Sequence, residues 1–147
     1  MITSAALRLI GAAAFMAIVA PLVAFALFGA VVSIQDDTFA PPSLSELPGF
    51  YVEVAPMLLF AVALFAVSLG AAATRGSFKA TRIRVVLLAA LAFAAVFTAP
   101  AVQGLVSGGR VSAVHLLIAA LGIAAGCASG ALLPLRLVPR ATNHNDA

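Results

Sequence analysis

The stretch VSAVHLLIAALGIAAGCASGALL, Val111 to Leu133, contains no Asp, Glu, Lys or Arg. At ~1.5 Å of rise per residue it is long enough, as a helix, to cross a hydrocarbon core of ~30 Å. Gly122, Gly126 and Gly130 recur in it every four residues. Residues four apart stack on one helix face, so the three glycines predict a smooth groove. In lipid, where shape and van der Waals contact drive association, such a groove admits another helix at close range. His115 lies within roughly 60° of the same face.

The rest of the chain has the same character. It has 147 residues, 64% hydrophobic and 9% charged, with a mean hydropathy of +1.19. Soluble domains carry about 25% charged residues, and a soluble fold of this size could not hide so much apolar surface. Lipid can solvate it. The isoelectric point near 10.0 does not point to nucleic acid. The basic residues sit between apolar segments, with no aromatic interleaving to stack bases. A single cysteine, Cys127, excludes an intrachain disulfide and a multi-cysteine metal site. It reads as a small packing residue in the middle of its span. No metal site is expected.

The predicted fold is all-α: an integral membrane protein with four transmembrane helices, about 9–34, 54–74, 83–106 and 111–133. The first apolar run is too long for the ~7–15-residue core of a cleaved signal peptide, so it reads as a retained helix with Pro21 as a kink. Residues 35–53 read as an outer loop. Within it, Ser43 and Glu46 have capping-box spacing, and Pro48-Gly49 reads as a stop. Residues 75–82 form a basic hairpin and 134–147 a polar tail.

With four spans, Arg8, Arg75, Lys79, Arg82, Arg84, Arg136 and Arg140 fall on one side and only Arg110 on the other. The positive-inside rule then puts both termini in the cytoplasm of a bacterial inner (plasma) membrane protein. Arg75, Lys79, Arg82 and Arg84 act as topology determinants, with anionic lipid head groups as a further contact.

Three polar residues, Thr98, Gln103 and His115, gather toward the outer ends of the third and fourth spans, with Glu53 at the outer mouth of the second. Antiparallel helices joined near Gly109 put Gln103 and His115 at similar depth, where an amide and an imidazole can hydrogen-bond. Two readings follow: an interhelical polar clasp, worth ~0.6–2 kcal/mol, or a small outward-facing pocket for a quinone head group, a lipid or a cofactor. Haem would need a second ligand from another chain, because the other histidine, His144, lies in the tail across the membrane. Thr98 is expected to bond its own helix near Pro100.

No cofactor is predicted outside that quinone or haem alternative, and no motif for catalysis is present. The function expected is a non-catalytic accessory or scaffold subunit of a larger membrane complex, its partners the bilayer and another membrane protein or its own copies. A small homo-oligomeric channel or transporter lined by Thr98, Gln103 and His115 is a second reading. A quinone-, lipid- or haem-binding subunit using His115 is a third.

Overall fold

The computed structural model describes residues 4–35, 43–72 and 78–133. Among them every regular element is helical: α1 (Ser4–Gln35), a single 3-10 turn (Leu44–Glu46) running into α2 (Leu47–Ala72), α3 (Phe78–Phe97), α4 (Ala99–Val106) and α5 (Ala113–Leu132). Four stretches are long and apolar enough to cross a membrane: Ala6–Val32, Leu44–Ala71, Thr81–Val106 and Ala113–Leu132. By length and composition this is a multi-pass membrane protein.

The long helices pack in a ring. α1 lies on α2, α2 on α3, α3 on α5, and α5 returns to α1; the α3–α5 pairing is the most extensive. Met16, Phe65, Val85, Ala89 and Phe93 fill the core, one or more from each of α1, α2 and α3. The opposite faces stay apolar and uncovered, with Leu59, Phe60 and Val67 of α2 each about 70% exposed. In water such faces would be a liability, but hydrocarbon solvates them at no such cost.

The glycines explain the α3–α5 contact. A methyl group placed on Gly122 would sit 2.5 Å from Cγ of Phe97. One on Gly126 would sit 2.9 Å from both the Ala89 carbonyl oxygen and Cβ of Phe93. One on Gly130 would sit 3.0 Å from Cβ of Ala89 and 3.1 Å from Cα of Val86. The groove is therefore internal: α3 lays a ridge of Phe97, Phe93, Ala89 and Val86 into it. Gly130 beside Val86, and Gly70 beside Leu9, put the start of α1, the end of α2, the start of α3 and the end of α5 together. Exposed Arg8, Arg82 and Arg84 belong to that end, and exposed Arg110 to the other.

Several local expectations are corrected. Pro48-Gly49 does not stop a turn; both residues lie in the first turn of α2. A proline there needs no donor, because the first helical amides have no partner within the helix. The connection is accordingly shorter than 35–53, and the second helix starts well before residue 54. The capping box does not form: the Ser43 side chain makes no cap and pairs with Ser45 instead, Oγ to Oγ, at 2.9 Å. α1 is continuous through Pro21. The basic segment is helical from Phe78, which places Lys79 and Arg82 in α3. Arg75 and the tail beyond 133, with Arg136, Arg140 and His144, lie outside the described residues.

The third span is two helices. Pro100 has no amide to continue the ladder, and α3 gives way to α4 at Thr98. The Thr98 hydroxyl donates to the Ala94 carbonyl, as its position before the proline suggests. Gly108, at φ 74°, turns the chain toward α5 in a conformation that glycine adopts without a steric penalty.

Candidate functional site

Ser112 and His115 close the N-terminal end of α5. Ser112 is the N-cap: its Oγ accepts the His115 backbone amide at 3.4 Å and lies 3.0 Å from the ring Nδ1. The hydroxyl, with one proton and two lone pairs, can pair with Nδ1 in either ring tautomer while it accepts the amide. The ring thus serves the end of its own helix. Gln103 is exposed on α4 and makes no side-chain hydrogen bond among the described residues. Equal depth does not bring Gln103 and His115 together, because α4 touches α5 only slightly once α3 has broken at Thr98.

The feature with the shape of a site lies deeper. A cavity of about 440 Å³ is walled by all four long helices in the half of the molecule nearer α4. α1 contributes Ala20, Pro21, Ala24 and Phe28, and α2 contributes Phe50, Glu53 and Met57. Phe93 and Phe97 come from α3, and Val114, Ile118, Leu121 and Gly122 from α5. Local sequence explains the space. Phe97 seats on Gly122 and draws α3 against α5, while Ala20 and Ala24 leave the facing side of α1 without bulk. The wall is stiffened by aromatic contacts: Phe93 and Phe97 stack with centroids 5.7 Å apart, and Phe50 meets Phe25 at 5.5 Å.

Beside this wall, the phenol of Tyr51 donates to the carbonyl oxygen of Ile18 at 2.8 Å. Pro21 deprives α1 of a donor one turn on, and its ring crowds the carbonyl at Ala17. The Tyr51 phenol donates to the next carbonyl, Ile18, and not to the Ala17 carbonyl that loses its helical donor to Pro21.

Of the residues singled out in the sequence, Pro21, Glu53 and Gly122 line the cavity. Thr98, Gln103 and His115 are not among its lining residues, and no hydrogen bond joins any two of their side chains among the described residues. Gly126 and Gly130 hold α3. Sequence reasoning missed Phe93 and Phe97, although their four-residue spacing on the third span matches that of the glycines they cover. It also missed Tyr51, for which Pro21 was the available signal. No protein-family model, curated protein or solved structure matches the chain, so its function has to be read from the cavity itself.

Proposed function

We propose that this chain is a non-catalytic accessory subunit of a bacterial inner (plasma) membrane complex, a four-helix transmembrane bundle that holds a lipophilic molecule between its helices. The cavity carries the proposal. Small-molecule sites are concave, mostly apolar and ~300–1,000 Å³ in volume, with a few placed polar groups. A volume of about 440 Å³ with one charged residue in its wall fits that description. The lipid or quinone reading thereby moves from His115, which pairs with the N-cap Ser112, to the cavity.

Cytoplasmic termini are supported by exposed Arg8, Arg82 and Arg84 at one end, against Arg110 at the other. The glycine face is taken up by α3, so a partner protein would meet the apolar outer faces instead. The channel reading draws no support from Thr98, Gln103 and His115, none of which lines the cavity.

The test is to extract the chain with its surrounding lipid in polymer nanodiscs and analyse what is retained by mass spectrometry. The wild type is expected to keep one lipophilic species near one per chain. Ala24→Phe, which fills the cavity from α1, is expected to lose it with helicity unchanged. Equal retention by both proteins would overturn the binding reading. Affinity purification in mild detergent tests the subunit role: a stoichiometric membrane partner supports it, and an isolated monomer or homo-oligomer contradicts it.

A further inference from the structure

We propose that the cavity selects an amphiphile that carries an ammonium group, its apolar body between the helices and its ammonium against Glu53. This rests on the cavity being a ligand site and adds the charge preference of that site.

Among the described residues, Glu53 is the one charged residue in the cavity wall. Its position is not that of a loop acid. The second span starts at Leu44 and is helical from there, which places Glu53 roughly 13 Å along the helix from that start, at ~1.5 Å per residue. A carboxylate at the edge of hydrocarbon is costly unless paired, and acids inside spans mark binding sites or relays more often than structural posts. Among the described residues Glu53 has no hydrogen bond and no ion-pair partner. Glu53 is exposed, and it lies on the wall of a space otherwise lined by apolar groups.

Geometry joins the two parts of the ligand. Phe50, Glu53 and Met57 are three and four residues apart on α2, so the carboxylate and the apolar wall share one helical stripe. Phe28 and Phe50, with ring centroids 6.5 Å apart, flank the acid's end of the cavity and offer π faces that attract a cation. An anionic amphiphile of the same length would meet repulsion at Glu53. A neutral one would gain only the apolar contacts. The ammonium head could belong to a single-chain amine or to an aminolipid of the bilayer; the recognition chemistry is the same.

The experiment uses the full chain in dodecyl maltoside micelles. Two photoreactive probes share one diazirine-bearing alkyl chain; one ends in trimethylammonium and the other in an alcohol. The ammonium probe is expected to label cavity-lining peptides around Met57 and Ile118, with about 1.5- to fivefold higher affinity than the alcohol, the range for one exposed charge pair. Glu53→Gln is expected to bring the two probes level while leaving the alcohol unchanged. Displacement by added phosphatidylethanolamine assigns the head group to a membrane lipid, and resistance to it assigns a single-chain amine; either supports the proposal. Equal labelling by both probes in the wild type, or a preference that survives Glu53→Gln, overturns the charge preference and leaves the cavity standing. Labelling of neither peptide by either probe overturns the cavity as a site.

Discussion

Tyr51 of α2 donates its phenolic proton to the carbonyl oxygen of Ile18 at 2.8 Å, across the helix interface and three residues before Pro21. The bond and the proline form a unit. Tyr51→Phe is expected to destabilise the chain by about 0.6 kcal/mol, and by no more than about 2 kcal/mol, the range for interhelical bonds in membranes. In a Pro21→Ala background, where Ala17 regains its helical donor and the ring no longer crowds this turn, the same change is expected to cost less. Unfolding in bicelles through a double-mutant cycle measures the coupling. Additive effects would separate the tyrosine from the proline.

The glycine groove gives a graded prediction. Gly122→Ala and Gly126→Ala put a methyl group against Phe97 Cβ and Cγ or against the Ala89 carbonyl, neither of which can swing away. Each is expected to cost about 1–3 kcal/mol, the usual penalty for overpacking. Gly130→Ala meets its neighbours at 3.0 Å and should cost less, while Gly104→Ala, with nothing within 4 Å, should cost nothing. Thermal unfolding of the four variants gives the order. A loss of oligomer or partner without a loss of chain stability would mean that the groove faces outward.

At the N-terminus of α5, Ser112→Ala removes an N-cap and is expected to cost about 0.5–2 kcal/mol. Gln103→Ala should be near neutral. A double-mutant cycle is expected to show coupling between Ser112 and His115 and none between Gln103 and His115. Coupling to Gln103 would restore the interhelical clasp.

Ser129 is fully buried on α5, and its hydroxyl has no partner among the described residues. An unpaired buried hydroxyl carries its full desolvation cost, about 1–3 kcal/mol. Ser129→Ala is therefore expected to raise the melting temperature. A lower one would show that the hydroxyl has a partner in the membrane.

Span number and length are legible in the sequence because they depend on local composition alone. The glycine groove is legible for the same reason, as a four-residue spacing between Gly122, Gly126 and Gly130. What fills the groove is not, since Phe93 and Phe97 look like any lipid-facing phenylalanines until α3 is set against α5. Pro48-Gly49 misleads because the dipeptide is a stop in mid-chain and harmless at a helix start. Gln103 and His115 mislead because depth along a helix says nothing about which way a side chain points after the break at Thr98. The cavity is least legible. It exists where Ala20 and Ala24 fail to fill the space opposite α5, a property of four helices at once. Glu53 is visible as an acid near the second span, but its depth depends on where that helix begins.

The most direct test of the cavity as a ligand site uses the chain's own methionines, three in number. Met57 lines the cavity, and Met16 is fully buried in the core. With 13C-labelled methionine methyl groups, NMR of the chain in nanodiscs can be followed as a nitroxide-bearing alkylammonium probe is added. Selective, saturable broadening of the Met57 methyl, with Met16 unaffected and the effect lost in Ala24→Phe, is the predicted result. Broadening that never saturates, or that persists in Ala24→Phe, would contradict it.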